Sequence, residues 1–445
     1  MARLLAFLCG LLVCCALPAA ALPVQEVVSK QGIKAWLIED HTNPTIALQF
    51  AFRGGVEQDD ASKQGLSVLL ADMLTEGAGK RDARAFQQAL ADNSISFGLQ
   101  ASRDVIGGSL YGLTSAMPVA AGLVRDALTA PRFDAEALAR LKQHQQGAIK
   151  ARLADPEWQA RRALYAMVYP DHPYAYRSLG TAASLAGISQ KDLTNEFARR
   201  FARDNLLVAV VGAITPEHLA ELLDKAFGAL PAHATLRSVK DIAVPAEAQS
   251  LHLAQEGGQS YLLFVAPGIK RDDPDWHAAS LLNYLLGGGG FSSRLMQEVR
   301  TKRGLTYSID TSLAAMEHSG LLVGEAKTAN DKAGVAWQAT RQVWTEIFAD
   351  GVTETELNAA QDYLIGALPT SFTSSGAIAG MLLSLQKDKL PRDYLERRAD
   401  LLRAVTTNDI ARVANRLLNP KNLTLVTVGA PEGIVSERTE QFVNE

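Results

Sequence analysis

Apolar residues along GLSVLLADMLTEG (65 to 77) recur at the helical period: Leu66, Leu69, Leu70, Met73 and Leu74 form one stripe. The opposite face carries Ser67, Val68, Ala71 and Asp72. Elsewhere, continuous apolar runs bounded by a turn Asn and a Gly predict buried strands, NLLVAVVGAI (205 to 214) and NLTLVTVGAP (422 to 431). These two runs are versions of one segment. FDAEALARLKQ (133 to 143) and VTETELNAAQD (352 to 362) make a second pair, both helix starts with an acidic first turn and with Leu138 and Leu357 in the same place. A third pair of strands, PTIALQFAFRGG (44 to 55) and QSYLLFVAPGI (259 to 269), leads in each case through an acidic turn into a helix.

The chain of 445 residues is therefore predicted to hold two homologous α+β units of roughly 200 residues each. Each unit reads strand, helix, strand, strand, helices, strand. They occupy 24–230 and 249–445, and PAHATLRSVKDIAVPAEA (231 to 248), with a Pro near each end and no sustained helical stripe, joins them. Two such halves facing one another commonly leave a cleft or chamber.

At the N-terminus Arg3 precedes the apolar run LLAFLCGLLVCCALP, and Ala19, Ala20 and Ala21 supply small residues. This predicts a cleavable signal peptide over 1–21 and a periplasmic mature chain. Cys9, Cys14 and Cys15 all lie within it, so the mature chain is expected to have no disulfide and no thiolate ligand. No second long apolar run follows, so no membrane span is expected. The 44 basic and 48 acidic residues nearly balance, which argues against a nucleic-acid partner.

Candidate chemistry is sparse. The histidines, His41, His144, His172, His218, His233, His252, His277 and His318, include no pair at helical spacing around a carboxylate, and no G-x-S-x-G occurs. Gly287, Gly288, Gly289 and Gly290 precede FSSRLMQEVRTKRG but lack the Gly-Lys-Ser/Thr ending of a phosphate loop. A backbone without Cβ there permits close approach by another chain, or is a flexible turn. Ser292 or Ser293 can cap the next helix, Gly304 ends it, and LTYSIDT (305 to 311) reads as a strand with Leu305, Tyr307 and Ile309 on one face. Arg300 and Tyr307 can approach across the Gly304 turn and donate together to a peptide carbonyl or oxyanion. The alternative is a basic surface helix followed by a strand whose Tyr packs in the core. On α-helical residues 65 to 77, histidines at 68 and 72 and a glutamate at 71 would make H-x-x-E-H and bind zinc; V-L-L-A-D cannot.

FRGGVEQDDASKQGLSVLLADMLTEG, HPYAYRSLGTAASLAGISQKDL (172 to 193), LLGGGGFSSRLMQEVRTKRGLTYSI and LPRDYLERRADLLRAVTTNDIARVANRLLNPKNLTLVTVGAP together resemble the insulinase/pitrilysin family of zinc peptidases, in its short two-domain bacterial form, over residues 24 to 431. The resemblance implies two domains, each a mixed or antiparallel sheet covered by helices. It aligns Val68 and Asp72 with two histidine ligands, Ala71 with the general-base glutamate, and the region of Gly147 and Ala148 with the distal carboxylates. Zinc needs three protein ligands and an activated water; by this alignment every one of those roles is lost. Arg300 and Tyr307 match a pair that the family uses to hold the substrate backbone, and Gly287 to Gly290 match a glycine-rich segment implicated in substrate handling. The resemblance thus implies a non-catalytic subunit without a cofactor of its own. A homologous H-x-x-E-H partner would carry the zinc, and the two would enclose an unfolded peptide. Two other readings stay open: a scaffold protein of the same fold, and an active hydrolase, as a homodimer, with an unrecognised site.

Overall fold

The apolar runs fold as strands of two six-stranded sheets in a computed structural model that describes residues 23–245 and 247–441. The expected signal peptide and its cysteines lie outside those residues. In the first half, the hairpin β1 (Gln25–Val28) and β2 (Lys34–Glu39) precedes the long strand β3 (Thr45–Arg53). Next come α1 (Leu66–Met73), the short pair β4 (Gly77–Ala78) and β5 (Arg81–Asp82), and α2 (Ala83–Asp92). The hairpin β6 (Ser96–Ala101) and β7 (Val105–Leu113) leads into α3 (Met117–Thr129), α4 (Ala135–Arg152), α5 (Pro156–Val168), α6 (Ala182–Gly187) and α7 (Gln190–Arg200). β8 (Leu206–Gly212) and α8 (Pro216–Phe227) complete the half.

The second half repeats the plan with β9 (Ser250–Ala254), β10 (Gln259–Pro267), α9 (Trp276–Asn283), β11 (Ser308–Ala315) and β12 (Gly320–Ala329). It ends with α10 (Ala333–Asp350), α11 (Glu354–Gly366), α12 (Ser375–Lys387), α13 (Tyr394–Arg403), α14 (Thr407–Leu417), β13 (Thr424–Gly429) and β14 (Arg438–Gln441). Residues 231–248 form neither helix nor strand where described.

The sheets run β1-β2-β8-β3-β7-β6 and β14-β9-β13-β10-β12-β11, the same order apart from the outermost strand. β2 and β8 are parallel, as are β9 and β13; the three inner pairings beyond them are antiparallel in both halves. The repeat extends to single contacts. Phe50 on β3 faces Gly108 on β7, and Phe264 on β10 faces Gly324 on β12. A Cβ on Gly108 would lie 2.1 Å from the Phe50 ring and one on Gly324 2.0 Å from the Phe264 ring, so each large ring is matched to a missing side chain. The two rings sit in separate cores between each sheet and its own helices.

The other sheet faces are closed by exchange. Ala160 and Leu164 of α5, from the first half, pack on Tyr261, Leu263, Val426 and Val428 of the second sheet. Leu382 and Leu385 of α12, from the second half, pack on Trp36, Ile38, Ala209 and Val211 of the first. Neither the exchange nor the strands β1, β2, β9 and β14 was legible in the repeat pattern. Where the repeat was read, Leu138 and Leu357 are both buried at the starts of α4 and α11.

Candidate functional site

α1 begins at Gly65, whose φ of 91° needs a glycine and whose Cβ, if present, would press on the Leu179 carbonyl. On the face opposite the stripe Ser67 and Ala71 are fully buried, while Val68 and Asp72 are half-buried. Ser67 is enclosed by a polar brace from distant residues. Ser67 N–H and hydroxyl donate to Asp59, and Arg200 at the end of α7 donates to Asp59 (3.2 Å), to the Gly55 carbonyl (3.1 Å), to Ser67 and to Glu196 (2.9 Å). Beside it Glu57 is buried with both carboxylate oxygens accepting from its neighbour Gly55 N–H; burial first, then the charge of Asp104, pushes its carboxyl up to about 8.

At the positions that the resemblance aligns with metal-site residues, the Val68 and Ala71 side chains present no donor atom, and Ala71 is wholly buried. Asp72 has one ionisable neighbour that sequence reasoning passed over, His144 on α4, one turn before Gly147. Burial raises the Asp72 carboxyl above its usual range; the positive field of His144 opposes this and Glu76 adds to it. Glu76 is itself paired with Arg140. Among the described residues no group of three or more His, Cys, Asp or Glu is placed to hold a metal ion. This donor set does not fit zinc, which needs three protein ligands. α1 packs beneath β6, an edge strand whose outer backbone groups have no partner strand among the described residues.

The glycine run of the second half is not a loose loop. α9 runs on through a π turn over Tyr284–Gly288, closed by Gly289 N–H donating to the Tyr284 carbonyl (2.8 Å). A Cβ on Gly287 would lie 2.6 Å from Thr311 of β11, one on Gly288 2.5 Å from Asn283, and one on Gly289 2.7 Å from the Tyr284 carbonyl. Three of the four glycines therefore admit close approach by this chain's own segments, and Gly290 alone, at φ 55°, forms an open turn. Ser293 turns its hydroxyl back onto the Gly290 carbonyl (2.7 Å) instead of capping the next helix.

Arg300 sits on a second π-helical segment, Met296–Thr301, and Gly304 ends it with φ 59°. The Arg300 guanidinium carbon lies 4.7 Å from the centre of the Phe291 ring, which is 62% exposed. Tyr307 does not pack with Ile309 as the alternation suggested. It precedes the first residue of β11, donates its backbone N–H to the Lys327 carbonyl (2.9 Å), and its side chain is 61% exposed while Ile309 is buried. The strand face is interrupted because pairing with β12 as a regular ladder starts only at Ser308. Arg300 and Tyr307 thus flank one turn beside the edge strand β11, with Arg300 directed to Phe291. Phe291 was legible only as an aromatic following a glycine run. No helix among the described residues is long and apolar enough to cross a membrane.

Residues 187–364 match the family Peptidase M16 inactive domain. A crystal structure from Pseudomonas fluorescens, described as a peptidase M16 inactive domain, superposes with a TM-score of 0.85 at 30% identity, covering 93% of this chain and 99% of that one. The non-peptidase homolog YmxG of Helicobacter pylori is 28% identical over 79% of this chain and 81% of its own length. A Mycobacterium tuberculosis protein named an uncharacterized zinc protease is 25% identical over 82% and 84% respectively.

Proposed function

Because the chain belongs to the peptidase M16 family and is a homologue of its inactive type, we propose that it is the non-catalytic, peptide-binding subunit of a periplasmic peptidase pair, acting beside a homologous subunit that carries H-x-x-E-H and zinc. The observation that carries this reading is a contrast within one chain. Val68 and Ala71 have no ligating side-chain atoms, whereas Arg300, half-buried against Phe291, and the exposed Tyr307 lie beside an edge strand. An edge strand can take an extended peptide by backbone pairing, and a guanidinium and a phenol can hold a carbonyl of that peptide. The apolar run LLAFLCGLLVCCALP supports export.

A scaffold role is the second reading. It is favoured by the stacking of Arg300 on Phe291 and by the packing of Gly287, Gly288 and Gly289 against the chain itself. Co-expression with an H-x-x-E-H homologue separates the two. The proposal expects a co-purifying pair that cleaves an unfolded peptide and loses turnover with Arg300→Ala. A pair indifferent to that substitution supports the scaffold.

A further inference from the structure

Each exchanged helix covers only part of the sheet face it lies on. α12 rests on β8 and β3 of the first sheet, α5 on β13 and β10 of the second, and the outer strand pairs β7–β6 and β12–β11 continue beyond them. In both halves this leaves a step between a helix and two strands.

The second half fills its step. Glu325 of β12 accepts from Arg161 of α5 and from Tyr261 of β10, both at 2.5 Å, and Asp310 of β11 lies opposite it in register. The first half has the same positions and leaves them empty. Gly108 and Gly324 correspond through their facing rings, so Ser109 stands where Glu325 does, and Gly98, opposite Ser109, stands where Asp310 does. The N-caps Asp155 of α5 and Ser374 of α12 correspond as well, and the sixth residue after each is Arg161 in one and Gly380 in the other. The ion pair of the second half is replaced by Ser109 and Gly380, and a groove of about 1120 Å³, counted with its open mouth, lies between α12 and β7–β6.

Of the glycines lining this groove, Gly108 is required by the Phe50 ring, but Gly98 and Gly380 meet no such constraint. Gly98 and Gly380 have no left-handed φ, and a Cβ on either would meet nothing within 4 Å. Glycine weakens the interior of a strand or helix, and at these two positions it leaves open the space that Asp310 and Arg161 occupy in the second half. The polar lining has the same character. Gln49, Gln100, Ser109 and Ser384 form no hydrogen bond through their side chains within the described residues. Lys387, at one end and 3.6 Å from Asp388, is the one charged residue on the lining.

We infer that this groove is a binding site for an extended, uncharged segment of peptide, held by the carboxamides of Gln49 and Gln100 and the hydroxyls of Ser109 and Ser384. The inference rests on the reading of the chain as a peptide-binding subunit and names the class of peptide. Carboxamides and hydroxyls offer both donors and acceptors, the complement of a peptide backbone. Away from the end that holds Lys387, which is already paired with Asp388, a charged side chain entering here would lose water without gaining a counter-ion. The groove also borders the unpaired edge of β6, so a peptide lying along that edge directs alternate side chains into the space above Gly98.

The chain's own second half supplies the test. The double substitution Ser109→Glu with Gly380→Arg copies the Glu325–Arg161 pair into the groove. The probe is a fluorescein-labelled peptide of Ala, Ser, Gln and Thr, about twelve residues or about 40 Å when extended. Its affinity for the full chain is read by anisotropy beside the thermal unfolding temperature. The expected result is an unfolding temperature no lower than the parent's, since Gly380 lies inside a helix, with affinity reduced by about tenfold or more. If the double variant does not fold, Gly98→Leu alone is read in the same way. Wild-type affinity in a folded variant with the groove filled overturns the inference and leaves the peptide-binding reading standing. Failure of the unaltered chain to bind the probe or any unfolded peptide overturns both.

Discussion

Arg200 and Asp59 form an ion pair of 3.2 Å between side chains that are 1% and 0% exposed. The guanidinium also holds the Gly55 carbonyl and Ser67, so one residue of α7 fixes the chain entering α1. A buried pair is sensitive to loss of one partner, because the other keeps its charge without water. Arg200→Ala is therefore expected to destabilise the fold by about 3 to 5 kcal/mol. Urea unfolding of the variant checks this; a change under about 1 kcal/mol would mean that the brace is not intact in solution.

The Glu57 carboxyl, held up at about 8 against an ordinary value of 4.5, makes stability depend on pH. Between those values the folded chain holds a proton that the unfolded chain has released, so this group's stabilisation is complete below about 4.5 and is lost as pH rises through about 8. Glu57→Gln keeps the shape and removes the titration. Urea midpoints from about pH 5 to about pH 9 are expected to fall less steeply in the variant than in the parent. Equal slopes would show that Glu57 is ionised at neutral pH.

Glycine substitutions should sort by what a Cβ would meet. Gly324→Ala drives a methyl to 2.0 Å from the Phe264 ring inside a packed core, and is expected to cost about 1 to 3 kcal/mol or more. Gly122→Ala, in α3 with nothing within 4 Å, is expected to stabilise by about 0.5 to 1 kcal/mol. Thermal unfolding of the two variants reads both signs.

Arg300→Ala and Tyr307→Phe are expected to weaken binding or turnover of an unfolded peptide while leaving stability within about 0.5 kcal/mol of the parent, since Tyr307 is exposed and loses only a hydroxyl. If both groups hold a reacting carbonyl in the assembled pair, each loss lowers turnover by roughly 100- to 1,000-fold. Phe291→Ala is expected to resemble Arg300→Ala, because it removes the ring on which the guanidinium rests.

The sequence carried the duplicated framework because its signals are local. β8 and β13, or α4 and α11, repeat the same apolar spacing and the same turn residues. The exchange of α5 and α12 was not legible, since the stripe that buries Leu164 on the second sheet looks like one that would bury it on the first. The brace was equally hidden: Asp59 and Arg200 are far apart in the chain, and in isolation each reads as an ordinary surface charge. That Val68, Ala71 and Asp72 do not spell H-x-x-E-H could be read directly from the sequence, but the approach of His144 to Asp72 needed the packing of α4 on α1. The groove depends on the register of β6 and β7 against that of β11 and β12, which no local sequence signal carries.

The most direct test of a non-catalytic, peptide-binding subunit is the fate of a labelled unfolded peptide mixed with the purified chain alone. Anisotropy follows binding, and mass spectrometry of the recovered peptide follows cleavage, with and without added zinc. The expected result is saturable binding with the peptide recovered intact in both conditions. Cleavage by the single chain that a chelator abolishes, or the absence of any binding, would contradict the account.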